Sequence, residues 1–195
     1  MKPVIIDRTQ PNEFITKFTK YKSAGTLLDL GAGHGRHAIF AAERGFVVEA
    51  VEPDKTLCDD IAAKAQEKGL KIEIVRSDIE SYKPSKEFDV IICAMVFHFL
   101  SLDAIKYTLN LMLEATKPGG VNVISAYTNL NPDESMAGNP YGNTNYLLKP
   151  GELAPYYSDW EILEYLEDWT EPGIVKAGDA PKSYHKVNLI AQKPA

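Results

Sequence analysis

The sequence predicts an α/β fold: one domain built on a doubly wound, mostly parallel sheet. Three observations carry this. Short apolar runs alternate with helical patterns of roughly 10–15 residues between Thr26 and Tyr127, as successive βαβ units require. Three glycines, Gly31, Gly33 and Gly35, fall where the first run ends and a helix opens. The run Phe88 to Met95 is apolar on both faces, as expected of a central parallel strand. The size agrees. The chain has 195 residues, 45% hydrophobic and 25% charged, enough for one domain with a real core and no disulfide staples.

The elements follow in order. A helix is predicted near Pro11 to Tyr21, with Pro11 at its first position and Phe14, Phe18 and Tyr21 at i, i+4 and i+7. Ser23-Ala24-Gly25 breaks it. Strands are expected at Thr26–Leu30, Phe46–Val51, Leu70–Val75, Phe88–Met95 and Val121–Tyr127. Helices are expected at Arg36–Arg44, stopped by Gly45, at Pro53–Lys68, with Gly69 as its C-terminal stop, and at Leu102–Ala115. Lys117-Pro118-Gly119-Gly120 reads as a turn. Thr128 to Tyr146, rich in Asn, Gly, Pro and Tyr, reads as a loop over the sheet edge. A short helix near Pro150–Tyr157 precedes two strands, Trp160–Glu167 and Lys186–Gln192, which form an antiparallel pair. Asp168 to Tyr184 carries no pattern. The domain 1–195 thus divides into an N-terminal helical segment (1–25), a core (26–127) and a C-terminal part (128–195).

Composition excludes several functions. Lys and Arg number 21 against 27 Asp and Glu, a formal net charge of −6. A nucleic-acid partner is disfavoured, because phosphate neutralisation dominates such binding. The longest apolar run, Val90 to Phe97, falls far short of the about 20 residues that span a bilayer, so no membrane partner is expected. Residues 1–7 lack a signal-peptide pattern. Cys58 and Cys93 have neither CxxC spacing nor paired His ligands. They read as reduced thiols in a cytoplasmic protein with no metal site.

Asp29-Leu30-Gly31-Ala32-Gly33-His34-Gly35 sits where an open α/β sheet binds ligands. Three glycines at alternate positions exceed what a tight turn needs. The dinucleotide fingerprint is G-x-G-x-x-G. Here the third glycine comes one residue early, and the wider loop suits a nucleoside with an amino-acid tail better than a diphosphate. Glu52 ends the second strand, followed by Pro53, and a carboxylate there accepts from both ribose hydroxyls. Asp78 and Ile79 follow the third strand. Either Asp78 takes an adenine amino group while Ile79 packs on the ring, or Asp78 caps the next segment.

In this order these residues resemble the class I S-adenosylmethionine-dependent methyltransferases: Leu28-Asp29-Leu30-Gly31-Ala32-Gly33-His34-Gly35, Val51-Glu52-Pro53-Asp54, Ser77-Asp78-Ile79, Phe88-Asp89-Val90-Ile91 and Lys117-Pro118-Gly119-Gly120. The resemblance covers about residues 26 to 127 and implies a Rossmann-like methyltransferase fold with seven strands, the last reversed. Within that superfamily the chain is most similar to the TehB-type tellurite-resistance methyltransferases, through Gly35-Arg36, Phe99-Leu100, Lys149-Pro150-Gly151-Glu152-Leu153, Tyr156-Tyr157 and Trp160. The implied cofactor is S-adenosyl-L-methionine, held by Asp29, Gly31, Ala32, Gly33, Gly35, Glu52, Pro53, Asp78 and Ile79, with Ala94 and Met95 approaching from the other side. One departure stands out. That family carries a His-Arg pair and a further Arg in its last segment, implicated in binding the oxyanion substrate. The aligned positions here are Gly173, Ile174 and His185.

Methyl transfer from a sulfonium needs nucleophile, carbon and sulfur in line, so positioning carries much of the acceleration. A base is needed only for a protonated nucleophile. His98, after the fourth strand, is the first base candidate and His185 the second. Each also fits a bland role: His98 as a buried ring bonded to backbone, His185 as a solvated surface residue. His37, on the first helix of the core, is expected to be exposed or packing. Tyr127 and Tyr141 are candidate acceptor contacts, and Tyr146, Tyr156 and Tyr157 add aromatic character. Arg8 either reaches the cofactor carboxylate or is solvated. Cys93, buried in an apolar strand, is inert. The expected activity is methylation of a small molecule. Two other functions stay open: a nicotinamide-dependent oxidoreductase, which lacks here a Tyr-x-x-x-Lys pair and a second domain, and a non-catalytic S-adenosylmethionine sensor. Oligomeric state is not readable.

Overall fold

The computed structural model describes residues 4–5, 9–130, 146–170, 173–174 and 183–195. Seven strands make one sheet: β1 (Thr26–Leu30), β2 (Val47–Val51), β3 (Ile72–Val75), β4 (Phe88–Ala94), β5 (Thr116–Tyr127), β6 (Glu161–Trp169) and β7 (His185–Gln192). Their order is β3-β2-β1-β4-β5-β7-β6. The first five run parallel, and β7 is antiparallel to both β5 and β6. The antiparallel C-terminal pair expected from the sequence is therefore present. Val4–Ile5 and Gly173–Ile174 form a separate parallel pair.

Among the described residues, four α-helices cover the sheet: α1 (Glu13–Thr16), α2 (Arg36–Ala42), α3 (Lys55–Glu67) and α4 (Leu102–Ala115). Ile105, Leu109 and Met112 of α4 pack with Leu28, Ile91, Ile124 and Tyr157 on one face. Phe14 of α1, Phe18 just after it, and Ala38, Ala41 and Ile61 of α2 and α3 pack with Leu27, Val48 and Ile92 on the other. Strand order reverses between β1 and β4, which themselves run parallel, and this is the point at which doubly wound sheets open a crevice.

Several boundaries differ from expectation, each for a local reason. Asn12, not Pro11, starts the first helix, because its side chain accepts from the Phe14 and Ile15 amides. That helix tightens after one turn into a 3₁₀ segment, Lys17–Lys20. Asp54 caps α3 through Thr56 and Leu57, so Pro53 lies outside the helix. The segment before β6 is only a 3₁₀ turn, Ala154–Tyr157. The Lys117–Gly120 turn falls within β5: Phe88 pairs with Thr116 and Val90 with Val121, so the turn is a bulge between paired residues. β6 runs on to Trp169, two residues beyond the expected end, because its ladder with β7 continues to His185. Of the expected loop 128–146, residues 131–145 lie outside the described residues.

β6 is an edge strand. Ile162, Tyr165, Leu166 and Trp169 are exposed along it, and Glu164 ties it to the N-terminal segment through Lys17, Lys20 and Tyr21. Both cysteines are buried and free, and burial raises the Cys93 thiol well above its ordinary pKa. Among the described residues, no helix is long and apolar enough to cross a membrane, and no group of three His, Cys, Asp or Glu is placed to hold a metal.

At the N-terminal edge of the parallel strands, Asp89 joins three of them. Its Oδ2 accepts from the Thr26 amide (2.7 Å), the Thr26 hydroxyl (2.9 Å) and Lys117 Nζ (2.8 Å). Burial pushes its pKa up, but Lys117 and Thr26 outweigh that and hold it below the ordinary value. A carboxylate depressed in the folded state stabilises above its unfolded pKa, and that stability is lost as pH falls through the folded one. Asp89→Ala should therefore cost about 1–3 kcal/mol at pH 7 and flatten the loss of stability below about pH 4. Denaturant melts from pH 2 to 7 check this.

Candidate cofactor site at the sheet edge

Leu30 lies opposite Val51 on one side and Cys93 on the other. Gly31, Glu52 and Ala94 therefore lie at one level, where β1, β2 and β4 end. The glycine loop turns sharply there, with φ of 71°, 57° and 74° at Gly31, Gly33 and Gly35. The Gly31 and Ala32 amides donate to the Val51 carbonyl (2.9 and 3.0 Å), which fixes the start of the loop to β2.

The three glycines serve different ends. A Cβ on Gly31 would sit 2.5 Å from Val96 Cγ2, and one on Gly35 would sit 2.7 Å from Ile61 Cγ1. Both are needed for packing. A Cβ on Gly33 would meet nothing within 4 Å. The middle glycine alone faces open space, where a ligand can approach the backbone.

Glu52 is buried and held across the gap. Its Oε2 accepts from the Gly33 amide (2.9 Å) and its Oε1 from the Asp54 amide (3.1 Å). Each oxygen keeps a lone pair for a further donor. Asp29, in β1, is 1% exposed, and its Oδ2 has no hydrogen-bond partner. Burial pushes Asp29 up to about 7, against the pull of Arg36 and the Ala38 amide, and nearby Glu52 adds to the rise. A buried carboxylate oxygen without a donor is a costly arrangement, and a ligand cation would relieve it.

The remaining predicted contacts ring this loop. Ala32 is buried, and Pro53 is exposed. Asp78 is exposed, and its carboxylate takes no hydrogen bond. The turn after it is made by its carbonyl, which accepts from Ser81 and Tyr82. The capping role considered for the Asp78 side chain is therefore absent. Ile79 is buried in the core. Ala94 and Met95 are half-buried. Met95 has φ of 61°, alone among the described non-glycine residues, and its amide donates to the Ser125 carbonyl at 2.7 Å. Such backbone costs about 1–2 kcal/mol and gathers at functional sites. Composition gives no sign of it.

His98 lies beyond β4 in a 3₁₀ turn, Phe97–Phe99, and is buried. Its ring centroid is 5.1 Å from that of Tyr127, and Tyr127 lies 5.3 Å from Tyr184. His185 is buried too, so the solvated alternative for it is wrong. The β5–β7–β6 ladder encloses it: Nδ1 lies 2.7 Å from the Thr128 hydroxyl, and Trp169 packs edge-on at 5.4 Å. His98, Tyr127 and His185 thus share one sheet edge. Thr128, Trp169, Tyr184 and Lys186 join them and were missed. The signal was the Trp169–His185 register, readable only once the two strands are paired. His37 is buried, and its Nε2 accepts from the Asn12 amide at 3.3 Å. Burial, with Arg36 adding to it, drives its pKa down to about 3, so it is a neutral packing residue. Tyr141 and Arg8 lie outside the described residues.

The family model for tellurite resistance protein TehB matches residues 8–183. The chain belongs to the TehB family. A protein named Hemagglutinin 1 from Eikenella corrodens is 30% identical over 171 residues, which are 86% of this chain and 54% of that protein. A protein named probable S-adenosyl-L-methionine-dependent methyltransferase TehB, from Haemophilus influenzae, is 28% identical over 145 residues, 74% of this chain and 49% of that one. The crystal structure of TehB from Haemophilus influenzae superposes with a TM-score of 0.83 at 24% identity, over 94% of this chain and 62% of that one. This chain spans about half the length of those two curated relatives. The methyltransferase fold of the TehB family is thus the fold of this chain, with the reversed last strand implied by the sequence.

Gly31→Ala and Gly33→Ala should separate packing from access. Gly31→Ala meets Val96 and an unfavourable φ together, so its melting temperature should fall by several degrees. Gly33→Ala bears only the φ penalty of about 1 kcal/mol, so its loss should be distinctly smaller. Thermal melts of the two variants make the comparison.

Proposed function

We propose that this protein is an S-adenosylmethionine-dependent methyltransferase acting on a small-molecule acceptor. The observation that carries the reading is one sheet edge with three features: a glycine loop open at Gly33, the Glu52 carboxylate bound to that loop, and the donorless Asp29 oxygen. An amino-acid tail, a ribose and an ammonium group fit that set. A carboxylate at Glu52 serves the ribose of a dinucleotide as well, but a diphosphate brings no cation to the donorless Asp29 oxygen. Family membership and the name of the Haemophilus relative support the same cofactor.

In this reading the Gly31–Gly35 backbone holds the methionine tail and Asp29 receives its ammonium. Glu52 accepts from the ribose hydroxyls, with Pro53 beside it. Asp78, exposed and unbonded, accepts from the adenine amino group, and Ile79 forms part of the adenine wall. Ala94 and Met95 close the opposite side. When bound, S-adenosylmethionine supplies an activated methyl group. His98, on the acceptor side with Tyr127 and His185, takes the proton of an acceptor O–H or N–H. Nearby aromatic faces keep the surroundings favourable for a cation. Gly173, Ile174 and His185 stand where the family's His-Arg pair and further Arg are expected. With no guanidinium at those positions, an oxyanion has lost its bidentate partner. The acceptor is a small molecule, and the loss of those groups argues against tellurite and selenite without removing them from the acceptors to be tested.

Calorimetric titration with S-adenosylmethionine, S-adenosylhomocysteine and NAD tests the cofactor. Affinity on the order of micromolar for the first two is expected, lost in Glu52→Ala and absent for NAD. Binding of NAD alone would overturn the reading. Turnover, followed as S-adenosylhomocysteine release over an acceptor panel that includes selenite and tellurite, should fall at least tenfold in His98→Ala with cofactor affinity unchanged.

Asp29 adds a pH dependence. Its folded pKa, about 7, lies above the unfolded value. The folded state therefore binds the extra proton, and stability falls as pH rises from about 4 to about 7. A ligand ammonium favours the ionised carboxylate, so S-adenosylhomocysteine affinity should rise with pH through 7. Asp29→Asn should abolish both slopes, and an unchanged affinity profile in that variant counts against the assigned partner.

A further inference from the structure

The glycine loop is also held from outside, by α3. His34 is exposed, between Gly33 and Gly35. Its Nδ1 lies 2.6 Å from Asp60 Oδ2, and its carbonyl accepts from Lys64 Nζ at 3.1 Å. Lys64 Nζ also donates to Asp60 Oδ2 at 2.8 Å, across one helical turn. Both the side chain and the backbone of residue 34 therefore end on one i, i+4 pair of α3. Hydrogen bonds from Lys64 and His34 hold the Asp60 carboxyl below its ordinary pKa, so it stays ionised and accepts Nδ1–H.

The same helix meets the site at two further points. Ile61, next to Asp60, fills the space that the missing Cβ of Gly35 leaves. Asp54, the N-cap of α3, gives its amide to Glu52. α3 thus reaches the loop at His34 and Gly35 and the carboxylate beside it at Glu52. A tether matters here because glycine has little intrinsic preference for the backbone angles that the loop adopts. Whatever order the loop lacks before binding must be imposed by the ligand, at a cost in affinity.

We propose that Asp60 and Lys64 are positioning residues: as a pair they clamp His34 and keep the Gly31–Gly35 loop in the conformation that receives the cofactor's amino-acid tail. This rests on the cofactor reading given above. Neither residue need touch the cofactor. They act through His34, and their effect is the fraction of molecules whose loop is already in place.

The test is calorimetric titration of the full chain with S-adenosylhomocysteine, in wild type, Asp60→Ala, Lys64→Ala, the double variant and Lys64→Arg. Amide hydrogen exchange of Gly33 to Arg36 without ligand is measured alongside. Each single alanine variant should weaken binding roughly threefold, within the range for exposed ion pairs. The double variant should fall short of the product of the two, since both act through one residue. Lys64→Arg should restore affinity, and exchange at Gly33 to Arg36 should quicken in the alanine variants with melting temperature unchanged. Wild-type affinity and wild-type exchange in both alanine variants would overturn the clamp and leave the cofactor reading standing. No binding by wild type would overturn both.

Discussion

Leu30 is paired with Val51 on one side and with Cys93 on the other, and every group at the candidate site takes its height from that double register. A strand has a side-chain period of two, so a slip of one residue would exchange the side chains that β1 sends to the two covered faces of the sheet. The register is protected because Leu28, Leu30, Val51, Ile91 and Cys93 are buried in one cluster. With it fixed, the chain has little choice beyond the strand ends. Gly31 and Ala32 donate to the Val51 carbonyl, and Glu52, the next residue of that chain, reaches back to the Gly33 amide. Two crossovers are thus joined by hydrogen bonds made at the level where the sheet stops.

The two edges of the parallel region divide the work. At the N-terminal edge, Asp89 gathers Thr26 and Lys117 in a partly buried cluster that stabilises the ends of β1, β4 and β5. At the C-terminal edge, Asp29 is buried without a partner for one oxygen, and Met95 holds an unfavourable φ. Stabilising chemistry at one end and unsatisfied or strained groups at the other is the distribution expected when binding is confined to one edge.

Much of this was legible in the sequence. β1 and α4 have the expected bounds because each combines a clear apolar period with a sharp boundary: Gly25 before Thr26, and Ser101 as the cap of Leu102. The glycine loop and Glu52 were legible because their spacing is set by local geometry. What escaped depends on contacts distant in sequence. Asn12 displaced Pro11 as helix start because a side chain that accepts two amides outweighs a favourable φ. The burial of His185 needs three strands paired in register. Asp60 and Lys64 are visible as an i, i+4 pair, but that His34 lies against them follows only from the packing of α3 beside the loop.

Among the described residues no strand pairs with the outer edge of β6, along which Ile162, Tyr165, Leu166 and Trp169 are exposed. Such an edge is a template for another strand. The same nine residues include Glu161, Glu164, Glu167 and Asp168, with no basic residue among them. Two copies brought edge to edge would set carboxylate against carboxylate. Shape thus favours pairing at this edge and charge opposes it, an opposition that salt screens and acid neutralises.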